Sequence, residues 1–312
     1  MSVAHLKPLA TRLSPLVMDS MPTADNQLLE DTEVRLLLDG LFHGFGYEFR
    51  DYVDGPLKRR VWEQVQAEGV ETISQLQDKV FHRPGCLETL LIGLATVRAS
   101  MFCDPSFYAA FRAVVVPVLR TYPSIQVWQP ACSTGEEVYA LAILLHEEGL
   151  FPRARIYATD VHKSVFATAE QGLFPLSGMA VNASNYQQAG GSAALSDYYT
   201  TEGEYAVMIP SLRQHVIFTE HSLAVDEGFN EFQLILCRHT WDLYNPWLQD
   251  RVMTLFSRSL CRFGMLGVGR QRFPKLITDE QRYEDIGSGW YRKASKHTMS
   301  SRPRNDQEEE CR

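Results

Sequence analysis

One stretch constrains the fold more than any other: Ile125 to Leu145, IQVWQPACSTGEEVYALAILL. It reads as a short apolar strand, a turn of small residues and a helix. Val138, Leu141, Ala142 and Leu145 recur at i, i+3, i+4 and i+7, the spacing of one buried helical face. Ser133 and Thr134 are placed to cap that helix. Glu136 and Glu137 fall in its first turn, where the helix dipole favours negative charge. A second strand, ARIYATD, follows and ends on Asp160. An acid at the carboxyl end of the second strand of an α/β sheet is placed to bind ribose hydroxyls of a nucleotide-like ligand. Gly135 is the one glycine in the turn, so the dinucleotide GxGxxG pattern is absent. A pyrophosphate ligand is thereby disfavoured, and an adenosyl ligand without phosphates fits better. The plainer alternative is that the glutamates only cap a helix and Asp160 only ends a strand.

The 312 residues suffice for one large domain and a smaller one. A net charge of -8 argues against nucleic acid as the main partner. No apolar run approaches the roughly 20 residues that span a bilayer, and the first 20 residues lack the apolar core of a signal peptide. The six cysteines (86, 103, 132, 237, 261 and 311) form no CxxC pair, which fits reduced thiols in a cytoplasmic protein better than a disulfide framework or a zinc site. His221 and His239 flank a strand but lack a clustered third ligand, so no metal is expected.

Along the chain, residues 1–31 read as a polar, mobile leader. Residues 32–95 carry about four helical patterns punctuated at Gly46, Gly55-Pro56, Gly69 and Pro84, which predicts an all-α domain. Its second helix opens with Lys58, Arg59 and Arg60, a cluster for an acidic helical partner or simply a solvated face. A helix is expected from Pro105 to Arg120, and another from Val161 to Gln171. Residues 172–201 read as irregular. Further strands are expected at YAVMI, HVIFTEH, FNEFQLILCRH and MLGVG, with a long helix ending at Gly264. Strands alternating with helices predict a mainly parallel sheet. Residues 293–312 are charged, aperiodic and expected to be disordered. Trp241, Tyr244 and Trp247 could line an aromatic pocket or pack a helix. Cys103 and Cys132 could meet at the cofactor loop, and Cys237 reads as a small core residue.

Several collinear motifs now add up. WQPACSTGEEVYALA, ATD at 158–160, GFNEFQLILCR at 228–238 and LGVG at 266–269 together resemble the chemotaxis receptor methyltransferases, the CheR family. SDYYT at 196–200 is similar to a segment of one branch of that family. The likeness runs from about Thr32 to Arg292. It implies a Rossmann-like class I S-adenosylmethionine-dependent methyltransferase domain at 96–292, preceded by the helical domain. It also implies a small β-subdomain inserted at about 173–218.

The implied activity is methyl transfer from S-adenosylmethionine to glutamate side chains of a chemoreceptor or similar coiled-coil signalling protein. The basic helix at Lys58–Arg60 would face that partner. By position, Asp160 matches the acid that binds the adenosine ribose. Glu136 and Glu137 match the first-motif glutamates, and Cys132, Thr134 and Gly135 share their loop. Arg238 and His239 occupy the C-R-N positions near the cofactor.

The departures fall on polar site positions. Where the family has N-x-T-x-x-F-R, this chain has Val97 for the amide, Ala99 for the hydroxyl and Cys103 for the arginine near the reacting methyl. Ser222 replaces the asparagine of H-N-L, His239 that of C-R-N, and Leu243 the tyrosine of I-Y-F, with Tyr244 next door. Catalytic positions are thus altered at Cys103 and Leu243, and no catalytic residue is assigned. Each lost hydrogen bond to a charged group is worth on the order of 1.5–3 kcal/mol, so impaired transfer is expected. A repacked site using Arg98 or Tyr244, or a non-catalytic signalling scaffold of the same fold, are the alternatives.

Overall fold

The computed structural model describes residues 24–96, 99–269 and 283–294. Four helices come first: α1 (Ala24–Phe45), α2 (Asp54–Ala67), α3 (Ile73–His82) and α4 (Cys86–Ala95). Each turns an apolar stripe inward: Val34, Leu37, Leu38 and Leu41 from α1, then Leu57, Val61 and Val65 from α2. Ile73, Leu76 and Val80 of α3 and Leu90, Leu91 and Leu94 of α4 complete a core of their own. Thr72 caps α3 by accepting from the Gln75 amide at 3.2 Å.

The helix after this core runs in three pieces, α5 (Pro105–Ala110), a π turn (Phe111–Val115) and α6 (Val116–Leu119). Pro117 has no N–H to continue an ordinary ladder, and the Val116 amide reaches back five residues to Phe111 O.

A seven-stranded sheet then carries the chain. Its strands are β1 (Ile125–Pro130), β2 (Ala154–Asp160), β6 (Val216–Glu220), β7 (Phe232–Leu236), β8 (Leu260–Gly267), β9 (Tyr283–Gly287) and β10 (Trp290–Lys293). Their order is β6-β2-β1-β7-β8-β10-β9, parallel from β6 through β8 and antiparallel at β10 and β9. The chain leaves β1 toward β2 and β6 and returns on the other side as β7. The topological switch point therefore lies between β1 and β7, where α/β sheets bind ligands. Helix α7 (Glu136–Glu147) joins β1 to β2, and all eight residues from Val138 to Leu145 are buried. Apolar all round, it is enclosed on every side.

Helix α8 (Lys163–Gln171) leads into an inserted unit. A three-stranded antiparallel sheet, β3 (Leu173–Pro175), β5 (Tyr205–Met208) and β4 (Tyr199–Glu202), is joined there by α9 (Met179–Gln188) and α10 (Pro210–Arg213). Helix α11 (Pro246–Ser259) connects β7 to β8.

Five expectations need correction. Helix α1 starts at Ala24, not Thr32; its first turns are polar because they face solvent and α2, with Glu30 accepting from Trp62 Nε1 at 2.7 Å. Residues 179–188, read as irregular, form α9. The inserted unit does not reach 218, because Val216–Phe218 pair with β2 in the main sheet. Helix α11 stops at Ser259, since Leu260 turns extended and pairs with Phe232. Lys293 belongs to β10, its ammonium donating to Ser257 O at 2.6 Å and to Leu260 O. The rest of the expected leader and tail, residues 1–23 and 295–312, lies outside the described residues, as do Val97 and Arg98.

Candidate functional site

The loop after β1 is drawn back over the end of β2. Ala131 (φ 50°), Ser133 (φ 52°) and Gly135 (φ 88°) all have left-handed backbone. A side chain at Gly135 would meet Ala169 Cβ at 2.4 Å, so the loop lies directly on α8. The fold is pinned by Asp160. Its Oδ2 accepts from Ser133 N at 2.8 Å and its Oδ1 from Val161 N at 2.8 Å, while Cys132 N donates to Thr159 O at 2.9 Å. Asp160 is 3% exposed. Burial pushes its carboxyl up to about 6, and the two amide hydrogen bonds offset only part of that.

Asp160 lines a narrow cavity with Ala131, Val161, His221, Leu223, Thr240, Leu243, Tyr244, Tyr52 and Ala95. About 20 Å³ of it is open to a water molecule's centre. Each carboxylate oxygen has a lone pair left after its amide bond. The chemistry of this carboxylate therefore fits the ribose end of an adenosyl cofactor, while the cavity as it stands has room for about one water.

A second polar cluster straddles the switch point. Arg238, just beyond β7, donates to Glu137 Oε1 at 2.8 Å and to Cys103 O at 3.0 and 3.1 Å. Its guanidinium lies 4.2 Å from the centre of the Phe107 ring, and Asp104 Oδ2 is 4.0 Å away. Glu137 also accepts from the Tyr108 hydroxyl at 3.2 Å, and His239 Nε2 stands 3.5 Å from Glu137 Oε1. Burial alone would raise the Glu137 carboxyl, but Arg238 foremost, with His239 and Tyr108, holds it below the usual range.

Strain gathers here as well. Among the described residues, seven non-glycine positions have positive φ, and five (Phe102, Asp104, Ala131, Ser133 and His239) border these two clusters. Such conformations persist where the surroundings over-determine them, which is typical of functional sites.

The model of the CheR methyltransferase SAM-binding domain matches residues 98–290. The chain belongs to the CheR methyltransferase family. It is similar to a candidate methyltransferase of Pseudomonas putida, Cher3, with 42% identity over 82% of this chain and 94% of that one. It is also similar to the chemotaxis protein methyltransferase of Listeria monocytogenes, with 24% identity over 72% of this chain and 83% of that one. Membership brings the class I methyltransferase fold and S-adenosylmethionine as cofactor.

Within this CheR family member, the predicted residues separate. Asp160 and the loop of Cys132, Thr134 and Gly135 sit together, with Cys132 buried and its thiol pushed well up by that burial. Glu136 accepts from the Thr134 hydroxyl at 2.6 Å and so secures its own loop. Glu137 and Arg238 are spent on each other and on the Cys103 carbonyl rather than lining the Asp160 cavity. His239 joins their cluster. Leu243 and Tyr244 both line the cavity, while Ser222 donates its backbone amide to Asp226 at 2.7 Å.

Part of the expected basic cluster has partners within the fold. Lys58 pairs with Asp31 and Arg60 donates to Leu94 O, leaving Arg59 exposed.

His221 Nε2 hydrogen-bonds Glu227 O at 3.0 Å and its ring stands edge-on to Trp128, which makes it a packing residue beside the cavity. No group of three His, Cys, Asp or Glu among the described residues could hold a metal ion, and no described helix is long and apolar enough to cross a membrane. Trp241 and Tyr244 are buried, whereas Trp247 is 61% exposed. Tyr52, Ala95 and Thr240 are cavity residues that the sequence did not single out. Only the tertiary docking of the helical unit brings the first two there.

Proposed function

We propose that the protein transfers a methyl group from S-adenosylmethionine to a glutamate side chain of a chemoreceptor-like helical signalling protein, at a reduced rate. One observation carries the cofactor side of this reading: Asp160, buried and fixed to the Ser133 and Val161 amides, closes a cavity at the carboxyl ends of the strands. The bound cofactor supplies a methyl group on a positively charged sulfur. Asp160 would hold the ribose hydroxyls, and the Ala131–Gly135 loop the adjoining atoms.

A carboxylate acceptor is ionised at neutral pH, so no residue here must remove a proton. What this chain must do is orient the acceptor, exclude water and offset its charge. The third task is where it is weak. Arg238 is neutralised by Glu137 at 2.8 Å, and Cys103 stands where the resemblance places an arginine. Losing one charged hydrogen bond of about 1.5–3 kcal/mol slows transfer by roughly ten- to a hundredfold.

A second reading, a regulator that binds the cofactor without transferring methyl, is favoured by the same two features. Labelled S-adenosylmethionine, incubated with receptor cytoplasmic fragments that an active relative methylates, separates them. Slow formation of base-labile methyl esters, absent with Asp160→Ala, supports transfer. No ester on the same competent fragments supports the regulator.

A further inference from the structure

The turn at residues 100–104 borders the switch point of the main sheet, and its backbone is left-handed at both Phe102 (φ 55°) and Asp104 (φ 62°). Such backbone persists at non-glycine residues only where neighbours over-determine it. One neighbour is Arg238, which clamps the Cys103 carbonyl. The others come from the inserted unit. Asn182 Oδ1 accepts from Met101 N at 3.0 Å, and Asn185 Nδ2 donates to Met101 O at 3.1 Å and to Ser100 Oγ at 3.0 Å. Phe102 lies edge-on to Tyr186 of α9 and to Tyr108, with ring centroids 5.2 and 5.1 Å away.

Met101 is fully buried, so a bond left unmade at its N–H or its carbonyl would strand a polar group away from water. Both groups are met by α9, where Asn182, Asn185 and Tyr186 stand at i, i+3 and i+4 on one face. That helix is itself anchored. The Tyr186 hydroxyl donates to Glu147 at 2.5 Å, and Glu147 ends the helix whose first turn carries Glu137. The contacts close on themselves: Glu137, Arg238, the turn, α9, Glu147 and back along α7.

We propose that Asn182 and Asn185 are positioning residues for methyl transfer. They fix the 100–104 turn, and with it the side chain at position 103, beside Arg238 and Glu137. The inserted unit is thereby part of the reaction centre's framework. What the turn does there rests on the methyl-transfer reading above; how it is held does not.

The two asparagines face the same residue with opposite ends of their amides, one accepting and one donating. Aspartate, of the same size, can only replace the acceptor. Asn182→Asp therefore keeps the bond to Met101 N, whereas Asn185→Asp deletes the donor and sets a carboxylate against the Met101 carbonyl. A purely structural role for α9, or a simple effect of added charge, would make the two variants behave alike.

The test uses the full chain with Cys103 as reporter, its alkylation by iodoacetamide followed by peptide mass mapping. Asn185→Asp is expected to speed Cys103 alkylation at least about fivefold. It should also slow methyl-ester formation about tenfold, while Kd for S-adenosylhomocysteine stays within about twofold. Asn182→Leu, which removes the acceptor, should do the same, and Asn182→Asp should stay within about twofold of wild type throughout. Melting curves identify any variant that fails to fold, and the partly exposed Asn185 carries the test if a change at buried Asn182 does. Wild-type alkylation and transfer in folded Asn185→Asp overturn the inference, as do equal effects of aspartate at the two positions. The expected alkylation pattern with no transfer by the wild-type chain overturns the methyl-transfer reading instead, and leaves the asparagines as positioners of the turn.

Discussion

Arg238 Nη1 lies 2.8 Å from Glu137 Oε1, a bond that ties the end of β7 to the first turn of α7 across the switch point of the sheet. The Arg238 side chain is 2% exposed and that of Glu137 12%. Its other donors clamp the Cys103 carbonyl, so this one ion pair holds the strained 102–104 turn, the α7 start and His239 in register. The arginine expected near the cofactor thus also braces the turn at Cys103 and Asp104.

Removing one partner of a buried pair strands the other. Glu137→Gln is expected to destabilise the fold by about 3 kcal/mol or more, read as a lower urea midpoint at unchanged slope. An unchanged midpoint would mean the pair carries no weight in holding the site.

Asp160 makes the site sensitive to acid. Burial raises its carboxyl to about 6, above the ordinary 3.8, so the folded state holds this proton more tightly than the unfolded chain. The stability associated with it is full below about pH 4 and is lost as the pH rises through 6, on the order of 3 kcal/mol in all. Ligand binding has the opposite sign. Ribose hydroxyls donate to the ionised carboxylate, so affinity for S-adenosylhomocysteine should fall by up to about tenfold per unit as the pH drops below 6. Calorimetry at several pH values measures this, and Asp160→Asn should bind weakly with a flattened profile.

Glu147 titrates the other way. Burial would raise its carboxyl, but Tyr186, Ser192 and Arg112 together hold it down at about 2. The Tyr186 hydroxyl and the Ser192 hydroxyl reach it at 2.5 and 2.7 Å, tying the inserted unit to α7. That stability is present above pH 4.5 and lost as the pH falls toward 2. Glu147→Gln should melt earlier at pH 7 and lose that difference progressively in acid, while binding S-adenosylhomocysteine like the parent chain.

Restoring the family's polar residues asks whether the framework is sound. Cys103→Arg, His239→Asn and Leu243→Tyr in one chain are expected to raise methyl transfer at least about tenfold, because they return the arginine, amide and phenol that the family resemblance places around the reacting methyl. Transfer no faster than in the parent would place the defect elsewhere in the fold.

How far the sequence reveals this molecule depends on which contacts an element makes. Helix α7 was legible because eight successive apolar residues follow an acidic first turn, and Asp160 because an acid ends a strand of β-branched and aromatic residues. Helix α9 was not, because it docks through asparagines. Asn182 Oδ1 accepts from Met101 N at 3.0 Å, and Asn185 Nδ2 donates to Ser100 Oγ and Met101 O. In sequence such residues read as loop. The cluster Lys58–Arg60 is legible as a run of charge, but such a run does not show which members have partners inside the fold. Tyr52 carries no local signal, since its place over Asp160 arises only when two separately cored units meet.

Calorimetric titration of the full chain with S-adenosylhomocysteine near pH 7.5 is the decisive test of whether Asp160 anchors an adenosyl cofactor. Saturable one-to-one binding is expected, abolished by Asp160→Ala without unfolding of the protein. No heat at two temperatures from a folded sample, chosen because the binding enthalpy changes with temperature, would contradict it, as would equal binding by Asp160→Ala.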